Sequence, residues 1–283
     1  MENILEVKNL TKTYKNFKLE DISFTLPKGY IMGFIGQNGA GKTTTIKLIM
    51  NLVKKDSGEI KVFEKDNLKF EKEIKEQIGF VYDEGYFYEH LSIEDNAKLV
   101  APFYKEWSFE AFYKYLNKFG LNKSQKFKEL SKGMKMKCSL SIALSHNAKF
   151  IIMDEPTAGL DPVVRAEVLN ILRELIQDEN VGVLLSTHIT SDLEKIADYI
   201  TYINNGKIVF SKSKEEVLDT YKIVKGDIGL LTKENEKYFE GIRKSSYGFE
   251  ALTSDVEGVK KEFKDSVLIQ NATLELIMIL KRK

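Results

Sequence analysis

A glycine-rich loop, Gly36-Gln37-Asn38-Gly39-Ala40-Gly41-Lys42-Thr43-Thr44, restricts the fold more than any other segment and fits the pattern G-x-x-x-x-G-K-[ST]. An apolar run of strand length, residues 30–35, precedes it, and apolar residues at helical spacing follow it. Glycines let the backbone wrap around phosphates with its N–H groups pointing inward, and a helix N-terminus adds positive charge there. The loop therefore predicts a nucleoside triphosphate site, in which Lys42 reaches the β- and γ-phosphates and Thr43 ligates Mg²⁺.

The composition is that of a soluble globular chain, with 43% hydrophobic and 30% charged residues among 283. A net charge of +1 argues against a chain built mainly to coat nucleic acid. No apolar run approaches the length of about 20 residues that a membrane-spanning helix needs, and the first ten residues lack a secretory apolar stretch. The single cysteine, Cys138, excludes an intrachain disulfide and is interpreted as a packing residue. We therefore expect a cytoplasmic protein that does not span the membrane.

Further apolar runs at residues 150–153 and 181–185 are interpreted as strands, with a helix of regular apolar spacing after Pro162 between them. Continuous apolar strands separated by helices predict a parallel sheet covered on both faces. The turn Asn204-Asn205-Gly206 predicts a hairpin of residues 199–203 and 207–210. Residues 84–147, rich in Lys, Glu, Phe and Tyr with helical spacing, are interpreted as a mostly helical insertion.

Asp154 and Glu155 follow the apolar strand at residues 150–153. A carboxylate at a strand end beside a phosphate-binding loop can hold Mg²⁺, which is the role expected of Asp154. Glu155 is then the candidate general base that activates water.

Ser131-Lys132-Gly133 begins a second predicted helix. Ser131 is either an ordinary N-cap or, with Gly133, part of an anion site. One nucleotide cannot easily use two separated triphosphate sites of one chain. Two chains that pair head to tail could instead hold ATP between the loop of one and Ser131 of the other.

The region 223–283 shows shorter elements and is interpreted as a small α/β appendage. Candidate strands are residues 242–244, 249–253 and 267–269, and candidate helices are residues 234–239, 256–263 and 273–279. The apolar run at residues 274–280 fits either a buried helix or a helix on a membrane surface.

Over residues 1–222 the sequence resembles the ATP-binding-cassette (ABC) family. The motifs that carry the resemblance are GQNGAGKTT (Walker A), FIIMDEP (Walker B), LSKGM (signature), AGLD (D-loop) and LSTHIT (switch histidine). The resemblance implies an α/β P-loop NTPase cassette, a mixed sheet core plus a helical subdomain, that binds ATP and Mg²⁺. It also implies roles for single residues: Tyr14 stacks on adenine, residues 36–44 cradle the phosphates, Asp154 is the Mg²⁺ partner, Glu155 activates water, His188 senses the γ-phosphate and Asp161 contacts the second subunit.

The sequence departs from the family pattern at two motifs. Asp83 replaces the glutamine of the glutamine loop; as a carboxylate it can still ligate Mg²⁺, but it adds negative charge near Asp154. In the signature, Lys132 and Met134 replace the usual glycine and glutamine. Lys132 either attracts the triphosphate or points into solvent.

In the family, dimer closure drives a membrane subunit that docks beside the glutamine loop, here the aromatic stretch between Tyr82 and His90. These aromatic residues fit either an interface or packing under the helical insertion. The cassette with its appendage looks most like the ATPases of bacterial exporters with a separate six-helix membrane subunit, which move bacitracin, lantibiotics or phenol-soluble-modulin-type toxins. The appendage is expected to contact the partner ATPase or to regulate closure.

Two other classes remain open on the sequence. Importers share the cassette, and some cassettes act on ribosomes or DNA without transport. The latter usually carry two cassettes or long coiled coils, and the four arginines here (Arg165, Arg173, Arg243 and Arg282) are few for nucleic-acid contacts. We therefore expect a homodimer, peripheral on the inner face of the cell membrane, with no nucleic-acid partner.

Overall fold

The order in which the strands pair brings distant parts of the chain together, in three sheets among the described residues. A computed structural model describes residues 2–82 and 87–281. In chain order the strands are β1 (Asn3–Tyr14), β2 (Phe17–Pro27), β3 (Ile31–Ile35), β4 (Ser57–Val62), β5 (Lys65–Asp66), β6 (Ile78–Tyr82), β7 (Phe150–Asp154), β8 (Gly182–Thr187), β9 (Tyr199–Asn204), β10 (Lys207–Ser213), β11 (Lys222–Gly226), β12 (Gly241–Ser245), β13 (Gly248–Thr253) and β14 (Leu268–Asn271). The α-helices are α1 (Lys42–Ile49), α2 (Glu71–Lys75), α3 (Ile93–Val100), α4 (Phe109–Lys118), α5 (Lys132–Leu144), α6 (Pro162–Leu175), α7 (Thr190–Ile196), α8 (Lys214–Thr220), α9 (Val256–Phe263) and α10 (Leu274–Leu280).

The central sheet has the strand order β10-β9-β3-β8-β7-β6 and is parallel except for β10. Residues of β3 alternate between two cores: Ile31 and Ile35 pack with the helices, whereas Met32 and Phe34 pack with the antiparallel sheet described next. Both faces are covered, which explains why these strands are continuous apolar runs in the sequence. The predicted parallel sheet and the predicted hairpin of β9 and β10 are confirmed.

A second, antiparallel sheet has the strand order β2-β1-β4-β5. The sequence patterns discussed above did not predict it. The buried residues of β1, such as Ile4, Leu5 and Val7, are interrupted by residues that are partly or fully exposed, such as Glu6 and Lys8. Such a half-buried strand has no continuous apolar run to reveal it.

The helical insertion contains α3, α4 and α5 between β6 and β7. Its core is aromatic and aliphatic, with Phe112, Leu116 and Phe127 almost fully buried. Cys138 on α5 is also fully buried, and burial raises the pKa of its thiol to about 12, which agrees with a packing role.

The C-terminal region forms the third sheet, with the order β12-β13-β11-β14. Its central strand β11 was not predicted, and the predicted helix at residues 234–239 is wrong, because the structure has only a 3₁₀ turn there, Glu236–Tyr238. The side chain of Asn235 instead bonds the preceding backbone twice, accepting from Thr232 N at 2.9 Å and donating to Leu230 O at 2.9 Å. Such local bonds compete with helix formation.

The last helix, α10, packs into the same hydrophobic core as the helices around the central sheet. Leu274, Ile277, Met278 and Leu280 are all buried in it, and the Leu274 backbone N–H donates to Glu194 Oε1 of α7 at 3.0 Å. The structure therefore supports the buried-helix alternative for this segment. Within residues 2–82 and 87–281, no helix is long and apolar enough to cross a membrane.

Candidate functional site

The glycine-rich loop connects β3 to α1, and glycine is required in it for steric reasons. A Cβ atom at Gly36 would lie 2.4 Å from the Ile203 carbonyl oxygen, a contact that no side chain tolerates. Gly39 and Gly41 have φ angles of +80° and +117°, a region that favours glycine. Because α1 begins directly after Gly41, its first backbone N–H groups lie at the loop. This is the local geometry that binds phosphate.

Lys42, the first residue of α1, is only 5% exposed. Its Nζ donates to the carbonyl oxygens of Gly36, at 2.8 Å, and Gln37, at 3.2 Å. The same ammonium group lies 3.1 Å from Glu155 Oε1, an ion pair whose angles do not make a hydrogen bond. The charge of Lys42 is thus held inside the loop and balanced by one carboxylate.

Asp154 ends β7 and is almost fully buried. Its Oδ2 accepts a hydrogen bond from Thr43 Oγ1 at 2.7 Å, and its Oδ1 accepts one from Ser186 Oγ at 2.8 Å. Neighbouring β-strands supply Asp154 and Ser186, which stand opposite each other in the register of β7 and β8. The carboxylate is therefore fixed beside the start of α1.

Thr43 and Asp154 fit a magnesium ion. Both offer hard oxygen atoms, and adjacent oxygen ligands of an octahedral Mg²⁺ lie about 2.9 Å apart at usual bond lengths. The Thr43 Oγ1–Asp154 Oδ2 distance of 2.7 Å is close to that value. Among the described residues no group of three or more His, Cys, Asp or Glu side chains is arranged to hold a metal. A site with few protein ligands is usual for Mg²⁺, because this ion keeps several bound waters and takes other ligands from substrate phosphates.

Glu155 bridges Lys42 and His188. Its Oε2 lies 2.8 Å from His188 Nδ1 and accepts a further bond from the His188 backbone N–H at 3.3 Å. Glu155 has a φ of +51°, an uncommon conformation for a residue with a side chain. A bond from its own backbone N–H to the Ser186 carbonyl, at 2.9 Å, helps to hold that conformation. The backbone strain and the two side-chain partners together fix the direction of the carboxylate.

A cleft of about 510 Å³ opens beside these groups. Phe17 lines it, next to the loop, whereas Tyr14 is not among its lining residues. Tyr14 stands opposite Phe17 in the pairing of β1 with β2, is 42% exposed, and has Lys12 Nζ 5.6 Å from its ring centre. The sequence interpretation missed Phe17; its place directly after the turn between two strands was the signal that could have found it. The described residues that line the cleft are Asn16, Phe17, Gln37, Asn38, Gly39, Gly41, Lys42, Thr43, Thr44 and Glu155.

Ser131, Gly133 and Asp161 are not among the described residues that line this cleft. Ser131 is the N-cap of α5, where its hydroxyl accepts from Met134 N at 3.3 Å. Asp161 is the N-cap of α6, where it accepts from the backbone N–H groups at 163 and 164. A Cβ at Gly133 would lie 3.0 Å from Val164 Cγ1, so the two helix starts pack closely together. Three predicted ATP contacts thus lie at two neighbouring helix starts, and none of them lines the cleft beside the glycine-rich loop.

Lys132 lies beside the D-loop of its own chain. A Cβ atom at Gly159 would come 3.4 Å from Lys132 Nζ. The side chain of Lys132 therefore extends along the D-loop.

The aromatic stretch between Tyr82 and His90 is described in part. Phe87 packs against Phe127 of the helical insertion, with ring centres 5.0 Å apart, whereas Tyr88 is 67% exposed. Asp83 and Tyr86 lie outside the described residues, and so does the predicted contribution of Asp83 to the metal site. Of the three described aromatic residues of this stretch, Tyr82 and Phe87 pack against other rings, and Tyr88 is exposed.

Comparison with known proteins agrees with this geometry. A family model described as "ABC transporter" matches residues 19–158. The bacitracin transport ATP-binding protein BcrA of Bacillus licheniformis is 33% identical over 243 residues, which cover 85% of this chain and 75% of that protein. The lantibiotic transport ATP-binding protein SrtF of Streptococcus pyogenes is 37% identical over 212 residues, covering 74% of this chain and 90% of that protein.

Solved structures show the same fold. The structure of an ATP-binding subunit of an ABC transporter superposes with a TM-score of 0.69 at 30% identity, covering 76% of this chain and 91% of that one. An ATP-binding cassette in its ADP conformation superposes with a TM-score of 0.66 at 25% identity, covering 78% and 95%. The predicted α/β P-loop cassette is confirmed. The chain belongs to the ABC transporter family, as an ATP-binding subunit with the ATPase activity of that family.

Proposed function

We propose that this subunit dimerises head to tail on ATP and drives a separate membrane subunit that exports peptides, toxins or antimicrobial compounds. The observation that carries the catalytic part is the arrangement of Glu155 between Lys42 Nζ and His188 Nδ1, beside the carboxylate of Asp154. The similarity to BcrA and SrtF, which are bacitracin and lantibiotic transport ATP-binding proteins, supports the substrate class.

In the proposed reaction, the phosphates of ATP replace Glu155 as the partner of Lys42. The amine then stabilises negative charge on the β- and γ-phosphates. Glu155, released from Lys42, accepts a proton from the attacking water, while its contact with His188 keeps it oriented. Thr43 and Asp154 would hold Mg²⁺, which neutralises charge on the transferred phosphoryl group.

The second half of the site is proposed to come from the partner subunit. Ser131 and Asp161 are exposed at the starts of two neighbouring helices and, like Gly133, do not line the cleft, which suits contact with a nucleotide held by another copy. A two-fold arrangement would then yield two equal sites. Tyr14, beside Phe17 at the edge of the cleft, is proposed to reach adenine.

The membrane subunit is proposed to dock on the stretch that includes Tyr88, which would place this chain at the inner face of the membrane. Exposed aromatic side chains are favoured at protein interfaces. Residues 1–222 are proposed as the cassette, with the helical subdomain at about 84–147, and residues 223–283 as a C-terminal domain that contacts the partner ATPase or regulates closure.

Copurification tests the partner. A tagged chain extracted from membranes with mild detergent should retain a six-helix membrane protein, and Tyr88→Ser should weaken that association while leaving ATPase activity intact. Tyr247→Ser is the matched control, since Tyr247 is 97% exposed in the turn between β12 and β13, far along the chain from the proposed docking stretch. Recovery of ribosomes in place of a membrane protein would overturn the transport assignment, and equal association of both variants would overturn the docking site.

A further inference from the structure

Three segments that carry residues of the proposed ATP site are tied together by one buried carboxylate. Asp192 on α7 is fully buried. Its Oδ2 accepts a hydrogen bond from Thr157 Oγ1 at 2.7 Å, and its Oδ1 accepts one from Arg165 Nε at 2.5 Å. Arg165 also donates from Nη2 to Ser191 Oγ at 2.8 Å. Both carboxylate oxygens therefore have directional partners from other parts of the chain.

Each partner follows a residue of the candidate site closely in the sequence. Thr157 comes two positions after Glu155, and Arg165 lies in the first turns of α6, four positions after Asp161. Asp192 itself comes four positions after His188. The segment after β7, the start of α6 and the start of α7 are thus joined at one point, which we call the Asp192 tie.

Stability alone is a weak reason for such a tie. A buried ion pair loses its hydration, and well-packed apolar residues of similar volume often give equal or greater stability. Charged hydrogen bonds, however, fix direction as well as distance, which apolar contacts do not. None of the three side chains is among the described residues that line the nucleotide cleft, so a direct role toward ATP does not explain them either.

We propose that Asp192 is a positioning residue for ATP hydrolysis, which through Thr157 and Arg165 holds Glu155, Asp161 and His188 in register. The 2.8 Å contact joins Glu155, just after β7, to His188, in the loop before α7. Among the described residues, no other side chain of that loop bonds the Glu155 carboxylate. The Asp192 tie joins residues that follow Glu155 and His188 closely in the sequence, and it therefore limits how far the two segments can move apart. The inference rests on the proposed roles of Glu155 and His188.

Kinetics of isosteric variants test this proposal. Asp192→Asn keeps the shape but removes the charge that pairs with Arg165, and Thr157→Val removes only the buried hydroxyl. For Asp192→Asn we expect kcat to fall about ten- to a hundredfold, as for a small misplacement of catalytic groups. Thr157→Val should show a smaller fall. The KM for ATP should stay within about twofold for both, because the glycine-rich loop and Lys42 are untouched.

The controls separate positioning from loss of folded protein. All rates are divided by the number of ATP-binding sites, titrated with a fluorescent ATP analogue, and Asp192→Glu is tested for partial rescue. Arg243→Gln is the matched charge control, because it removes an exposed ion pair with Glu250 in the C-terminal sheet and should leave kcat unchanged. A double variant, Asp192→Asn with Arg165→Gln, should be no slower than the slower single variant, since the two residues act as one unit.

The outcomes also separate this inference from the proposed function. If Glu155→Gln is inactive but Asp192→Asn and Thr157→Val hydrolyse ATP at the normal rate per site, the inference is wrong and the function stands. The same conclusion holds if Asp192→Asn loses activity only in proportion to its lost ATP-binding sites. If Glu155→Gln remains active, the proposed catalytic role of Glu155 is wrong, and with it the basis of the inference.

Discussion

Lys42 and Glu155 form an ion pair across the gap between the glycine-rich loop and the end of β7, with 3.1 Å between Nζ and Oε1. The pair joins the residue expected to bind phosphate to the residue expected to activate water. One carboxylate oxygen of Glu155 faces the ammonium group of Lys42, and the other contacts the imidazole of His188. In the proposed reaction, phosphate replaces Glu155 as the partner of Lys42, which would release this carboxylate when the substrate is present.

Glu155→Gln should lower the ATPase rate by about 10²- to 10⁴-fold, as expected for loss of a general base. ATP binding should be retained, because the neutral amide no longer competes with phosphate for the ammonium group of Lys42. The variant should accumulate as an ATP-bound dimer, measured by light scattering after size-exclusion chromatography. Glu73→Gln, which removes an exposed pair with Lys65, is the control. A variant that binds ATP tightly yet stays monomeric would argue against the head-to-tail dimer.

Thr43→Val should raise the Mg²⁺ concentration needed for half-maximal ATPase activity by about ten- to a hundredfold, a usual cost of disturbing a metal site. The substitution keeps the volume and removes both a ligand oxygen and the hydrogen bond to Asp154. The rate is measured against Mg²⁺ at fixed ATP. Thr45→Val removes another buried hydroxyl of α1, which bonds Gly41 O, and its Mg²⁺ requirement should match that of the unaltered protein. If the ATPase rates of the two variants depend on Mg²⁺ in the same way, Thr43 is not a ligand of the metal site.

Asp83→Gln should retain ATPase activity. This prediction comes from the sequence, since an amide oxygen still ligates Mg²⁺ and the substitution removes a negative charge near Asp154 and ATP. The expected change is a less steep dependence on Mg²⁺, measured in the same titration. An inactive variant would show that the acid has acquired a necessary role at this position.

Acid should destabilise the protein through His146. The imidazole is almost fully buried against Tyr104, with ring centres 3.8 Å apart, and burial lowers its pKa to about 4 from a usual 6.5. The unfolded chain then binds the proton more readily than the folded one, so stability is complete above pH 6.5 and declines as the pH falls toward 4. Between pH 7.5 and 5 this group alone should cost about 2 kcal/mol of unfolding free energy.

Urea unfolding at the two pH values measures that effect. His146→Phe keeps an aromatic ring against Tyr104 and cannot titrate, so its loss on acidification should be smaller than that of the unaltered protein by about the same 2 kcal/mol. Other acidic and basic groups contribute equally to both proteins and cancel in the difference. Equal losses would mean that His146 takes up its proton without unfolding.

Ile277→Ala should destabilise the whole protein by about 2–5 kcal/mol, the usual cost of a buried large-to-small change. Ile277 is fully buried in the hydrophobic cluster that also contains residues of β9 and α7. Urea unfolding followed by ATP-analogue binding should show one shifted transition. Leu268→Ala, at a side chain that is 56% exposed, should change stability by less than about 0.5 kcal/mol. A separate early transition that leaves ATP binding intact would show that the C-terminal region unfolds independently.

The sequence predicted those parts of the fold whose cause is local. The parallel strands β3, β7 and β8 are buried on both faces, so each is a continuous apolar run, and the glycine-rich loop has steric requirements that few residues meet. The antiparallel sheet was not predicted, because half of each strand faces away from the core and no continuous apolar run marks it. The helix predicted at residues 234–239 failed because the side chain of Asn235 bonds the adjacent backbone.

The candidate site was likewise predicted only in part. Motifs placed Lys42, Thr43, Asp154, Glu155 and His188 in one region, and the structure brings these side chains into contact. The Asp192 tie was not predicted, because it joins residues 27 and 35 positions apart through bonds that no local pattern encodes. The left-handed backbone of Glu155 could not be read from the sequence either, since it depends on the neighbouring strand β8.

The position of α10 has a consequence for how the protein is made. This helix emerges from the ribosome after the residues of the nucleotide site, yet it covers Tyr202 of β9, whose hydroxyl reaches the Met278 carbonyl at 3.4 Å. Its first backbone N–H, that of Leu274, donates to Glu194 of α7. A nascent chain that has already formed its glycine-rich loop still exposes this apolar surface to other chains. We therefore expect synthesis to pass through an ATP-binding but aggregation-prone stage, which ends when the last helix docks.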